Sequence, residues 1–290
     1  MHLSDMTRPV GTFTAALQRH PVFAYYVLAC ALSWLAVSPL ILHTDVSSNW
    51  HALGALGPLA AALIMTAFLG GKTALRDFGR RLVRWRVGTI AWLVALSPII
   101  LGAVAIALLA MKGAPLDRIQ ELRDAFANPG WLGGMFLASL AYGLGEEPGW
   151  RGYALPNLQR GRSAFRATML LSIGWGIWHV PYFLYRYHLG SVEQYVGFYL
   201  GLLAGAVWLT FLYNSTGGST LMVVVWHTTW NAVALTGAVI SPQVPAVTSV
   251  MIMIGALIAL RVGGQQRLSW TFRQRLPLPV PTRHRTRTRA

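Results

Sequence analysis

Only nine of the 290 residues are Asp or Glu, and where they fall narrows the chemistry the chain can do. Asp5, Asp45, Asp77, Asp117, Glu121, Asp124 and Glu193 lie in tails or between apolar stretches, where water solvates a carboxylate cheaply. Glu146 and Glu147 instead close an apolar stretch side by side, with Gly149, Trp150 and Arg151 following. The histidines divide in the same way. His2, His20, His43, His51, His188 and His284 sit at ends and connections, whereas His179 and His227 lie inside apolar runs. Asn231 follows His227 by four residues and Trp175 precedes His179 by four, so on a helix each pair shares a face. An ionisable side chain at the centre of a bilayer costs about 2.5–3.5 kcal/mol on insertion scales, so such groups mark function and come with partners.

A carboxylate, two imidazoles and an amide around one pocket form a hydrolytic set. Glu146 can take a proton from water, and His179 can orient that water or return the proton to a leaving amine. His227 and Asn231 can donate hydrogen bonds to the oxyanion of a tetrahedral intermediate. Glu147 stands four residues before Arg151, the favourable order for a helical ion pair, and is expected to hold it. Glu146, five before, falls on a different face and is left for the cavity. Trp175 would wall one side of the His179 ring. No Ser or Cys with an obvious base competes for the role, and Cys30, the lone cysteine, sits in an apolar run and reads as packing. Carboxylate and imidazole are also zinc ligands, so a metal-dependent hydrolase stays open; without HExxH its ligands would come from three separate helices. No cofactor is the leading expectation.

The elements that must position these groups are membrane helices. The chain is 54% hydrophobic and 11% charged, with mean hydropathy +0.48. Soluble domains carry about 25% charged residues, so an ordinary soluble protein is excluded. A spanning helix needs about 20 apolar residues, and eight candidate spans follow: 22–42, 52–69, 88–110, 131–145, 167–185, 195–213, 219–240 and 244–260. The expected architecture is an all-α polytopic bundle of about eight transmembrane helices over 22–261, preceded by a segment 1–21 and followed by a basic, disordered tail 262–290. At 1.5 Å per residue, His179 would lie about 18 Å and His227 about 12 Å from the membrane face their helices start at. Glu146 reaches a similar depth only if its helix continues to about Leu155, with Pro156 as the stop. Gly197, Gly201 and Gly205 recur every four residues and predict a close helix–helix contact within the bundle.

Charge orients the bundle. With both termini in the cytoplasm, all of the 24 Lys and Arg residues except Lys112, Arg118, Arg123 and Arg186 fall on the cytoplasmic side, as the positive-inside rule requires. The net charge of +15 therefore reads as attraction to anionic lipid headgroups at the basic loops and tail, with no nucleic-acid partner expected.

Around these residues the sequence resembles the CPBP family of CAAX protease and bacteriocin-processing membrane proteins, which includes the type II CAAX prenyl endopeptidases. Glu146-Glu147-Pro-Gly-Trp-Arg151 matches that family's EExxxR motif, continued by Gly152, Tyr153 and Pro156. Trp175 and His179 match its aromatic-xxx-His motif, with Trp where Phe is commoner, a change expected to alter pocket shape and not chemistry. His227 and Asn231 match HxxxN, and the three motifs fall in order within 131–238. The resemblance implies an intramembrane glutamic endopeptidase in which Glu146 and His179 activate water and His227 and Asn231 form the oxyanion site. It implies a membrane-associated or lipidated peptide or protein as substrate. The Arg- and Ala-rich composition and short loops suggest a bacterial protein of the inner membrane. A non-catalytic immunity or scaffold protein of the same fold, or a small-molecule transporter, is the competing reading. A transporter should show paired interrupted helices in both halves, and here the polar motifs cluster in the second half.

Overall fold

Asn128, Ser163 and Ser219 begin the three helices that carry the motif residues, and each caps its helix with a side-chain oxygen. Asn128 Oδ1 accepts from the backbone N–H groups of Gly130 and Trp131, Ser163 Oγ from Arg166 and Ser219 Oγ from Met222. These bonds satisfy amides that a helix start leaves without intrahelical partners. A computed structural model describes residues 17–42, 46–47, 50–114 and 118–271. Among the described residues every regular element is helical.

The helices are α1 (Pro21–Leu42), α2 (His51–Ala55), α3 (Gly57–Leu82), α4 (Thr89–Ala95), α5 (Ser97–Met111), α6 (Ile119–Ala127) and α7 (Pro129–Gly149). A π-helical turn over Trp150–Ala154 leads into α8 (Leu155–Leu158), then α9 (Ala164–Trp178), α10 (Tyr182–Tyr185), α11 (Val192–Ser215), α12 (Thr220–Ile240) and α13 (Gln243–Arg267). Each of the eight expected spans falls on helix. Among the described residues, five helical stretches are long and apolar enough to cross a membrane, or six if α4 and α5, bent by 50° at Leu96, count as one span. The shortfall from eight lies in the two helices that bear the first two motifs: α7 carries both glutamates and several glycines, and α9 has only 15 residues. Large apolar side chains such as Phe23, Leu35, Ile100, Leu137, Ile173 and Leu257 point outward, which suits a lipid-facing surface.

Three expectations about the elements need correcting. Pro156 does not stop the fourth span. Helical backbone continues through the π turn to Leu158, because a proline in the first turn of α8 forfeits an N–H that the widened turn already leaves without its usual partner. The fifth span, 167–185, is broken: α9 ends at Trp178, and His179 forms its C-cap ahead of Pro181. The tail begins later than 262, since α13 runs to Arg267, Leu268 is fully buried, and the Trp270 ring packs edge-on against Phe211 at 5.1 Å. Most of the expected N-terminal segment and residues 272–290 lie outside the described residues.

The predicted close approach of helices occurs at other glycines. A Cβ on Gly145 would strike the Ala55 carbonyl, and one on Gly149 would strike the Tyr25 hydroxyl and the Pro58 carbonyl. These two, four residues apart on α7, let that helix lie directly on the backbone around α2 and the start of α3. Gly197 and Gly205 instead face open space, and Gly201 meets only the Met253 methyl at 3.8 Å.

Hydrogen bonds tie the connections together at one end of the bundle. Arg84 donates to the Gly217 carbonyl at 2.9 Å, Ser219 Oγ donates to the Arg84 carbonyl at 2.6 Å, and Asn214 Nδ2 donates to the Arg267 carbonyl at 2.8 Å. Arg81, buried beside them, reaches Asp77, the Tyr213 hydroxyl and the Gly152 carbonyl. This arginine-rich end is expected to face the cytoplasm. In a Cys30→Ala background, a membrane-impermeant maleimide applied to intact cells should label Ser191→Cys, at the other end, and label Arg162→Cys only after permeabilisation. The reverse pattern would invert the bundle.

Candidate active site

The first motif places two buried carboxylates in different surroundings. Glu147 is fully buried, and its two oxygens take the Arg151 Nη1 group at 2.8 and 3.0 Å, one helical turn on. Oε1 also takes the Nδ1 proton of His227, at 2.7 Å, from α12. Arg151, equally buried, lies with its guanidinium carbon 4.5 Å from the centre of a Trp175 ring, a cation–π contact. The ion pair expected from spacing is present. The sequence did not show that Glu147 also fixes His227, because that bond joins residues 80 apart on separate helices.

Glu146 points the other way, into a cavity of about 400 Å³. Its Oε2 accepts two indole N–H groups, from Trp175 at 2.6 Å and from Trp150 at 3.2 Å; Oε1 takes part in neither bond. The Trp175 bond corrects the expectation that Trp in place of Phe alters only shape. A phenyl ring has no donor, whereas this indole holds the carboxylate. Trp150 stands four residues after Glu146 on the same face, a relation the sequence already contained.

His179 owes its position to the end of α9. Its backbone N–H bonds to Gly176 in a tightened turn, so the Trp175 carbonyl lacks a helical donor and takes the His179 ring Nδ1 at 2.8 Å. A carbonyl only accepts, so Nδ1 carries the proton and Nε2 is left with its lone pair. The same logic holds at His227, where Nδ1–H engages Glu147 and Nε2 is the free ring nitrogen. Trp175 gathers the set: its ring centre is 5.8 Å from that of His179 and 6.0 Å from that of His227.

Glu146, Trp175, His179, His227 and Asn231 all line the one cavity, so the structure brings together the four expected site residues from three helices. Glu147 and Arg151 stand behind it. Trp230 also lines the wall; Trp150 and Trp178 are fully buried behind it, with Trp178 donating to Ser33 Oγ at 2.6 Å. The Gly197, Gly201 and Gly205 stripe also lines the cavity, and the side chains missing at Gly197 and Gly205 keep it open. Among the described residues no group of three or more His, Cys, Asp or Glu is placed to hold a metal ion.

The chain is similar to known proteins over this region. The family model for type II CAAX prenyl endopeptidases, Rce1-like, matches residues 128–233. A curated relative, CAAX prenyl protease 2 of Methanococcus maripaludis, is 26% identical over 183 residues, covering 60% of this chain and 67% of that protein.

The two carboxylates should respond differently to neutralisation. Glu147→Ala strands a fully buried arginine and should destabilise the protein by about 3–5 kcal/mol. Adding Arg151→Met should recover a large part of that loss. Glu146→Gln, which keeps an acceptor for the indoles, should stay within about 1 kcal/mol of the parent. Thermal unfolding in one detergent reads all four proteins side by side.

Proposed function

We propose that the chain is a member of the CPBP family of CAAX protease-like membrane proteins and acts as a multi-pass endopeptidase of the bacterial inner membrane. In this reading it cleaves a membrane-associated or lipidated peptide or protein, using water activated by Glu146 and His179. The supporting observation is the convergence of Glu146, His179, His227 and Asn231 on one cavity, each presented by a fixed partner or helix face.

Glu146 accepts a proton from water as the water oxygen attacks the scissile carbonyl carbon, and the lone pair on His179 Nε2 orients the same water. The carbonyl oxygen, now an oxyanion, takes hydrogen bonds from Asn231 Nδ2 and from His227 Nε2, the latter when the ring carries its second proton. Glu147 at Nδ1 supplies the negative charge that suits that doubly protonated ring. Collapse of the intermediate breaks the C–N bond, and the proton taken from water passes to the leaving amine. The two indoles on Oε2 fix the direction in which Oε1 points, so the base arrives oriented. On the cytoplasmic side, the basic connections and tail would rest against anionic lipid. The cavity lies towards the opposite end, so the labelling pattern above also decides from which side substrate enters.

Cleavage of a peptide library by purified protein tests the assignment. Glu146→Gln should slow cleavage by about 10²–10⁴-fold. Asn231→Ala should lower kcat by about 10²–10³-fold with KM little changed. Activity should persist in a chelator. Cleavage that survives Glu146→Gln would remove that residue from the chemistry, and activity lost to a chelator and restored by zinc would make the enzyme metal-dependent.

A further inference from the structure

At the end of the cavity wall beyond the broken fifth span lies a charge that the hydrolytic mechanism does not use. Arg186, just after α10, is the one Lys or Arg among the residues lining the cavity. It is half-buried, and among the described residues no carboxylate stands within ion-pair distance of it; the ion pairs present are those of Arg81, Arg118, Arg151 and His227. Buried Arg81, by contrast, answers to structure, donating to Asp77, the Tyr213 hydroxyl and the Gly152 carbonyl. A guanidinium drawn partly out of water without an anion loses solvation that nothing in the fold returns.

Its surroundings are hydroxyls. Tyr142 lines the same wall, and its buried O–H has no hydrogen-bond partner; the buried O–H of Tyr185 has none either. Tyr187 and Tyr142, both on the cavity wall, each lie within electrostatic reach of Arg186 and of Glu146. The rest of the lining is largely apolar or glycine, including Phe198, Gly201 and Leu202. The cavity is therefore lined both by the Glu146 carboxylate and by a cation with idle donors beside it. Such an arrangement receives a negatively charged group and holds the chain attached to it at a set distance from Glu146.

We propose that Arg186, with the Tyr142 hydroxyl, forms a subsite for a carboxylate of the peptide being cleaved, and so selects which bond is presented to Glu146. The planar guanidinium offers paired N–H donors that match the two oxygens of a carboxylate, and a neighbouring phenol adds a third bond. That carboxylate is either the peptide's own C-terminus or an Asp or Glu side chain. The subsite rests on the endopeptidase reading above, but binding alone can test it.

The test uses full-length Glu146→Gln protein in neutral detergent, so that bound peptide is not consumed. Three fluorescent hydrophobic pentapeptide libraries are compared by polarisation: one with a free C-terminal carboxylate, one amidated, and one amidated with a single internal Glu. The free acid or the Glu-containing amide should bind about tenfold or more tightly than the plain amide, and which of them does so names the source of the carboxylate. Adding Arg186→Gln should abolish the preference, Arg186→Lys should retain part of it, and thermal unfolding should show both still folded. Equal binding of all three libraries, absence of binding included, overturns the subsite, as does a preference that survives Arg186→Gln. A chain that shows the preference yet cleaves nothing as wild type would keep the subsite and refute the protease.

Discussion

The Glu147 carboxylate, buried in a bundle whose outer surface is lipid-facing, is the constraint around which the site is arranged. A charge in that position is tolerated only if its partners reach it with good geometry, because its desolvation is not otherwise recovered. Arg151 supplies the balancing charge from the next turn, His227 supplies a second donor from α12, and the Trp175 face covers the guanidinium. The oxygen pair thereby ties α7 to α12, and the guanidinium it holds meets α9 through the Trp175 face. The position of His227, and through its helix that of Asn231, follows from this lock. Glu147, itself behind the cavity, thus determines where two of its polar lining groups stand.

The polypeptide around the first motif is shaped to make the lock possible. Gly145 and Gly149 let α7 lie against the backbone of α2 and α3, which brings Glu146 and Glu147 to the centre of the bundle. The π turn then carries helical backbone past Arg151, so that the arginine stays inside with its glutamate. Along the cavity, Gly197 and Gly205 keep a wall free of side chains. Glycine has contrary uses in the two places: close contact in one and open space in the other. A four-residue spacing cannot tell these apart, because the difference lies in which neighbour the face meets.

Much of the site was legible because its spacing is helical. Glu147 with Arg151, Trp175 with His179 and His227 with Asn231 are each one turn apart, and an isolated polar pair in an apolar run is conspicuous. The positions of the apolar segments were legible for the same reason. Relations between helices were not: the bond from His227 to Glu147, the approach of Trp175 to Glu146 and the presence of Arg186 on the cavity wall join residues that no periodicity relates. The break at His179 was partly written in Pro181. Its consequence, a ring nitrogen taking over the carbonyl that the helix leaves behind, needs the backbone geometry.

Trp175 shows how a side chain can be read correctly by place and incompletely by chemistry. As an aromatic residue one turn before His179, it walls that imidazole, and a phenyl ring would do the same. The indole also donates to Glu146 at 2.6 Å while its face meets Arg151, so a single side chain touches the cavity carboxylate, the buried ion pair and both imidazoles. A bond to one carboxylate oxygen restrains rotation about the terminal torsion of Glu146, a torsion that is broad in an unrestrained glutamate. With Trp150 on the same oxygen, the carboxylate has one orientation and presents its other oxygen to the cavity. Replacing this indole by phenyl would leave the wall standing and release the Glu146 carboxylate, which separates the contribution of shape at this position from that of the N–H.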